Sequence, residues 1–379
     1  MSTPLAAAGE IRWPRSETAG FIPGPEQFAL RESLRALLGK RGDITQVREA
    51  SSTERGFSAS LWQALVDDMS VTRLAVPEDR GGLGYGVAEL ATILEECGRA
   101  LVCEPVFSSA VLGVQALLLT RPDDDLLEGV LGGDLLATVS ALDATTDDLR
   151  ASRTSAGWVV DGTVTHLTCG GDADVVVASA DSQDGRRLFA LRPGRDCVRT
   201  ERTVLDPTRR QADVTLRGAR AVALTEPGET AAAATRLRDL GALALASENT
   251  GIVDMLLEMT VAYTSTRRQF DRAIGSFQAV KHRLADLLVL LERARSASRY
   301  AAAAFAQDPD AARLAVAVAG AVCTDAAVQA AAEAVQLHGG IGFTWEHPAH
   351  SYFRRAMGNE AAQGGSRTHR ATIAALVGL

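Results

Sequence analysis

Two segments near the C-terminal end of this 379-residue chain gather side chains that could bind a charged, planar ligand. The first is Tyr263-Thr264-Ser265-Thr266-Arg267-Arg268-Gln269-Phe270-Asp271-Arg272-Ala273-Ile274-Gly275-Ser276-Phe277-Gln278, dense in arginine, glutamine and aromatic residues. The second, Gln336-Leu337-His338-Gly339-Gly340-Ile341-Gly342-Phe343, closes a helical pattern with glycines. An arginine offers a planar fork to a pyrophosphate, and glycines let a backbone approach a ligand closely. Taken singly, either segment is equally served by a helix–helix corner, with glycine as C-cap and the aromatics as core. Other catalytic signatures are missing: there is no P-loop, no G-x-S-x-G elbow, no H-E-x-x-H and no complete G-x-G-x-x-G. No metal site is expected, because His347 and His350 flank Pro348 and the five cysteines form no C-x-x-C pair.

The elements that must hold these segments follow from periodicity. Apolar residues at helical spacing mark Glu26–Leu38, a helix capped by Ser58, a helix over Val87–Leu101 after the glycine-rich turn Gly81–Gly86, and another opened by Pro105. From Gly133 to Pro227 the pattern turns to short β-type runs: Leu136–Leu142, Gly157–Val160, Val164–Thr168, Val175–Ala178, Leu188–Leu191, Val214–Leu216 and Ala221–Leu224. That predicts a small antiparallel barrel or sandwich. Long helices follow over Thr230–Arg268, Gln278–Ala306 and Asp308–His338. The expected fold is therefore α+β and multidomain: an N-terminal helical domain (1–132), a middle β-domain (133–227) and a C-terminal four-helix bundle (228–379).

Composition limits the partners. Hydrophobic residues make up 46% and charged residues 23%, and the net charge is −8 with no Lys/Arg run beyond a pair. A nucleic-acid partner is not expected. Nor is membrane insertion, since the uncharged stretch Pro105–Thr120 is too short to span a bilayer. The start MSTPLAAAGEIRW lacks the basic and apolar regions of a signal peptide, and the scattered cysteines suit reduced thiols, so a cytoplasmic protein is expected.

Together and at this separation, the two C-terminal segments resemble the acyl-CoA dehydrogenase family, with its pattern R-x-[QT]-F-G-x-x-[IL]-x-x-[FH]-Q followed by Q-x-x-G-G-x-G-[FY]. Val76-Pro77-Glu78, Gly81-Gly82-Leu83-Gly84 and Glu95-Glu96-Cys97-Gly98 look like its N-terminal domain, and Gly162-Thr163-Val164-Thr165-His166-Leu167-Thr168 like its G-x-K-x-W-I-T-N. The resemblance implies FAD as cofactor and acyl-CoA as substrate. It implies that Arg267, Gln269, Phe270, Ile274, Phe277, Gln278, Gln336, Leu337, Gly339 and Gly340 contact the pyrophosphate and adenosine of a flavin seated mainly in a neighbouring subunit. Thr168 would be a contact to the flavin ring.

The same resemblance shows where this chain departs. The glutamate that removes the α-proton lies, in most members, where an ungapped count from Gln336 finds Gln363; in a minority it lies where Gly241 stands. A carboxamide or a hydrogen cannot accept that proton. Glu248, about 10 Å along the same helix, is either a displaced base or a structural carboxylate. The segment Thr138–Asp147 lacks the family's A-L-T-E-P-x-A-G-S-D, His166 replaces the flavin-stacking tryptophan, and Gly365 replaces a flavin-contacting threonine. The expectation is a base-deficient subunit of a heteromeric acyl-CoA dehydrogenase, an α2β2 heterotetramer, which forms trans-2-enoyl-CoA with a homologous partner. Electrons would leave through a separate acceptor flavoprotein. This is similar to partner subunits of bacterial sterol side-chain degradation, which also carry an aspartate where Asp271 stands. Alternatives are a flavin monooxygenase of the same fold, a self-sufficient homo-oligomeric dehydrogenase using Glu248, and a non-catalytic structural subunit.

Overall fold

The structure is a computed structural model and describes residues 22–119, 124–140, 148–194, 197–362 and 365–379. Pro25 opens α1 (Pro25–Arg41), with Glu26 in its first turn and Lys40 and Arg41 in its last, all favourable to the helix dipole. Asp43 caps α2 (Ile44–Ser52) by accepting from the backbone N–H groups of Thr45 and Gln46 at 2.8 and 3.0 Å, while Gln46 reaches back to the Asp43 N–H. Ser58 caps α3 (Ala59–Asp67) as expected. After the glycine-rich turn come α4 (Val87–Ala100), a π-helical stretch Val106–Gly113 running into α5 (Val114–Leu118), and α6 (Asp124–Leu131). The periodicity missed α2 and α6, each under three turns long.

Seven strands follow: β1 (Ala137–Val139), β2 (Asp148–Thr154), β3 (Gly157–Thr168), β4 (Val175–Ser182), β5 (Gly185–Arg192), β6 (Val198–Glu201) and β7 (Gln211–Ala223). The ring β4-β2-β3-β7-β5 closes through the β4–β5 pair, with β1 beside β4 and β6 beside β7. Two corrections apply to the strand reading. The sheet is mixed, because β1 and β2 both run parallel to β4. The runs expected as separate strands are fused: Gly162 (φ +128°) and Gly218 (φ +57°) bend β3 and β7 without ending them. Val160, Val164, Phe189, Leu191 and Val214 fill the barrel interior.

The C-terminal part packs α7 (Thr230–Thr266), α8 (Gln278–Gln307), α9 (Arg313–His338), α10 (Ala349–Ala362) and α11 (Gly365–Leu376), with a two-residue hairpin, β8 (Arg268–Gln269) and β9 (Arg272–Ala273), between α7 and α8. The helix α9 starts after Ala312 and not at Asp308, since Asp308 caps the turn 308–311 instead. The apolar stretches of α7 and α9 are long enough to cross a bilayer, but 83% and 72% of them are buried inside the protein. One apolar core runs through α1, α3 and α4 into α7, α8 and α9. Where α4 crosses α7 the backbones touch: a Cβ on Gly98 would collide with the Glu248 carbonyl, and one on Gly251 with the Glu95 carbonyl.

All three regions meet at Arg355 on α10, whose side chain is wholly buried. Its Nε donates to Asp206 at 2.5 Å and one terminal nitrogen to Glu248 on α7. The other terminal nitrogen donates to the Thr208 hydroxyl at 2.6 Å and to the carbonyls of Thr208 and Val102, both at 3.1 Å. Arg209 completes the cluster, donating to both Glu248 oxygens at 2.7 Å and to Asn359 at 2.7 Å. Two guanidinium groups thus balance two carboxylates. A second belt of ion pairs ties α1 and α4 to the bundle, including Arg31–Glu95 at 2.8 Å, Arg99–Asp254 at 2.7 Å and Arg295–Asp254 at 2.7 Å.

Two outcomes follow from this packing. Gly251→Ala forces the α4–α7 crossing apart and should cost ~1–3 kcal/mol, roughly 1–4 °C of melting temperature for a chain of this size; differential scanning calorimetry reads it. Arg355→Met leaves Asp206 and Glu248 short of a counter-charge and should cost about 3–5 kcal/mol, read by denaturant unfolding. An unchanged midpoint in either variant would contradict the packing described.

Candidate functional site

The corner between α7 and α8 begins where Arg267 leaves the helix in an extended conformation. The hairpin that follows turns through Phe270 (φ +51°) and Asp271 (φ +61°). Two consecutive left-handed residues suit a two-residue turn between antiparallel strands, but for phenylalanine that conformation is strained. Aspartate visits it more readily, so Asp271 can stand where the family pattern has glycine. The Arg268 guanidinium donates to the Asp271 carbonyl at 2.6 Å and pins the turn. Phe270 packs edge-on against Phe277, ring centroids 6.1 Å apart, and Arg272 lies 3.9 Å over the Phe277 ring. Phe270 remains 86% exposed.

The glycine run stands beside this corner because His338, the last residue of α9, stacks on Tyr263 of α7 at 4.4 Å and on His347 at 4.1 Å. The His338 Nδ1 bonds the Ala334 carbonyl at 2.6 Å, which fixes the ring. Burial, with His338, Arg48 and His350, pushes the His347 imidazole down to about 4, so this ring is neutral at pH 7. Gly339 needs glycine for its φ of +63°, and among the described residues nothing beyond the chain neighbours lies within 4 Å of where a Cβ on Gly339 or Gly340 would sit. Arg267, Gln269, Phe270, Gln278, Gln336, Gly339 and Gly340 are exposed; Ile274, Phe277 and Leu337 are half-buried. Among the described residues the side chains of Arg267, Gln269, Gln278 and Gln336 make no hydrogen bond or ion pair with the rest of the chain. Free donors on an exposed aromatic patch fit one half of a pyrophosphate-bearing cofactor site.

Thr168 lies elsewhere, at the rim of the barrel, half-buried between His166 (φ +55°) and Cys169 (φ +55°). Its carbonyl accepts from the buried Thr138 hydroxyl at 2.7 Å, which uses up one polar group of β1. Among the described residues no hydrogen bond, ion pair or ring contact joins Thr168 to the corner.

The acid–base positions divide. Gly241 is buried within α7 and carries no side chain. Gln363 lies outside the described residues, as does 141–147 of the segment expected to lack flavin contacts. Glu248 is 1% exposed and held by Arg209 and Arg355. Burial pushes its carboxyl up, but the two guanidinium groups pull it further down, so it is held below the ordinary glutamate range. A carboxylate so held is a poor proton acceptor. Asp239, the other nearby acid on α7, pairs with Arg313 at 3.4 Å. Sequence reading missed Arg209 and Arg355 as the residues that decide the state of Glu248. The one signal available was two adjacent arginine pairs, Arg209-Arg210 and Arg354-Arg355, whose partners come from distant segments.

Comparison with known proteins bears on the whole chain. The acyl-CoA dehydrogenase C-terminal domain model matches residues 231–378, and the acyl-CoA dehydrogenase N-terminal domain model matches residues 24–121. The acyl-CoA dehydrogenase IpdE2 of Mycobacterium tuberculosis is 35% identical over 340 residues, which take in 89% of this chain and 93% of that protein. A chain of the ChsE4-ChsE5 complex from Mycobacterium tuberculosis superposes with a TM-score of 0.85 at 29% identity, covering 94% of this chain and 98% of that one. A chain of the Tcur3481-Tcur3483 steroid ACAD, in a variant form, gives 0.83 at 26% identity, covering 93% and 98%. With both terminal domains matched and the helical, barrel and bundle regions in place, the chain belongs to the acyl-CoA dehydrogenase family of flavoprotein oxidoreductases.

Proposed function

We propose that this chain is the base-deficient subunit of a heteromeric acyl-CoA dehydrogenase, lending its α7–α8 corner to FAD seated mainly in a homologous partner. The observation that carries this reading is the commitment of Glu248 to Arg209 and Arg355. With Asp239 also paired and Gly241 bare, α7 has no free carboxylate at or near the position where some relatives keep the base. The comparison structure named as a ChsE4-ChsE5 complex, built from two differently named chains, supports a heteromeric arrangement.

When bound, FAD would supply the hydride acceptor for converting acyl-CoA to trans-2-enoyl-CoA, while a glutamate of the partner would take the α-proton and a separate acceptor flavoprotein the electrons. The residues of this chain bind and orient. The Arg267 guanidinium offsets pyrophosphate charge with a planar fork. The amides of Gln269, Gln278 and Gln336 can hydrogen-bond the nucleotide, and Gly339 and Gly340 let it approach the backbone at the end of α9. Phe270 and Phe277 cover an apolar flank, and the bulky side chain of Phe270 is held outward by the strained turn. Such strain at an exposed aromatic suits a contact made only in the assembly.

The lone chain should show no acyl-CoA turnover, with kcat below about 1 s⁻¹. Flavin quantification after co-purification with the partner should give one FAD per heterodimer and none on this chain by itself. Arg267→Ala in the complex should weaken FAD about 10- to 150-fold, the value of a charge-assisted contact, as read by fluorescence titration of the apo-complex. One FAD per chain in an active homotetramer would overturn the proposal and make Glu248 the base to test. Glu248→Gln should lower the melting temperature of the chain whatever the substrate, which distinguishes a structural carboxylate from a catalytic one.

A further inference from the structure

The first turns of α7 border a cleft of about 350 Å³, bounded on its other sides by α5, the end of α8 and the residues that open α4. Leu237, Leu240 and Phe305 form its floor and are at most 4% exposed. Tyr85, Arg236 and Gln307 line it from exposed positions, and so mark its mouth. Gln115 belongs to one wall and is fixed there by donating to the Ala75 carbonyl at 2.9 Å. The rest of the lining is alanine, glycine, valine, leucine and proline.

Arg236 is the one charged residue of this lining. The cleft between α2 and α3, by contrast, carries Glu49 and Glu54, and the groove beside Pro348 carries Asp43 and Glu96. Among the described residues the Arg236 guanidinium has no ion pair or hydrogen bond, and neither the Tyr85 hydroxyl nor the Gln307 amide has a partner. The carboxylates around the cleft are engaged elsewhere or stand in solvent. Glu89 accepts from the Gly86 N–H at 2.9 Å and from the Gln27 amide at 3.0 Å. Asp308 caps the N–H groups of Asp310 and Ala311, Asp239 pairs with Arg313, and Asp310 is exposed. An arginine without a counter-charge, beside a hydroxyl and an amide that can donate and above an apolar floor, is a donor set suited to a carboxylate. The volume lies at the lower end of the range for small-molecule sites, which favours a compact ligand.

We infer that this cleft binds a small amphipathic carboxylate. The apolar body lies on Leu237, Leu240 and Phe305, and the carboxylate pairs with Arg236, with Tyr85 and Gln307 as further donors. Arg236 stands 30 residues before Thr266, the last residue of α7. At 1.5 Å per residue that is ~45 Å, so the cleft and the α7–α8 corner are separate sites. The inference concerns a cleft formed by this chain alone and does not rest on the proposed division of labour between subunits. Straight-chain and cyclic acids share the required chemistry, and the choice of probes separates them.

The test is isothermal titration calorimetry of the full chain with octanoate, cyclohexylacetate, the alcohols of the same two skeletons, and octylamine. At least one carboxylate should bind saturably at one site per chain, and the tighter of the two reports whether the cleft takes a chain or a ring. Arg236→Gln should weaken that carboxylate about 10-fold, the low end of a charge-assisted contact because Arg236 is exposed. The matching alcohol should bind the unaltered chain about 10-fold more weakly than the acid, and should not respond to Arg236→Gln. Ala306→Trp fills the cleft from an exposed position at the end of α8 and should abolish binding. Both substituted positions are exposed, so an unchanged melting temperature checks that each variant keeps its fold. No saturable carboxylate binding, full binding by either folded variant, or binding of the alcohol or octylamine as tight as that of the acid would each overturn the inference.

Discussion

A guanidinium taken wholly out of water must find a partner for every N–H it carries, and much of this architecture can be understood from how Arg355 meets that demand. Its partners are a carboxylate from the loop before β7, a carboxylate from α7, a threonine of the same loop and a carbonyl after α4. No single element could supply them. The helical N-terminal region, the barrel and the bundle must all be docked before the charge is satisfied, so one side chain makes their association all-or-none. Arg209 and Asn359 extend the network to Asn249 and leave Glu248 with two cationic partners.

This constraint has a chemical side. A carboxylate can serve as a structural counter-ion or as a proton acceptor poised near neutrality, and the first role works against the second. In this chain α7 spends its buried glutamate on cohesion. Near the far end of the same helix, among the described residues, an arginine and three glutamines are left without side-chain partners beside an exposed phenylalanine. One helix thus separates a closed, self-satisfied end from an open end that presents unused donors.

The long helices were legible because nothing interrupts them: α7 runs 37 residues without a proline. The corner was legible as a unit because its residues are contiguous and of unusual type. The strand boundaries were not, since Gly162 and Gly218 look like stops in a linear reading yet act as bends within continuous strands. The mixed sheet was hidden for a related reason: whether β2 lies parallel to β4 depends on closure of the ring, which no local pattern encodes. The network around Arg355 was the least accessible, because it joins residues as far as 253 positions apart. Glu248 stayed open between displaced base and structural carboxylate because its partners could not be seen from its neighbours.

The backbone contact at Gly98 and Gly251 has a mechanical consequence. Two helices that touch main chain to main chain have no side-chain layer between them to deform, so sliding or swivelling at the crossing would drive carbonyl oxygens into neighbouring backbone. With Arg99 of α4 paired to Asp254 of α7 across the same seam, and Arg31 and Arg295 tying α1 to α4 and α8 to α7, the N-terminal helices and the bundle form a single stiff frame. Any motion that admits a large molecule must then leave this crossing in place.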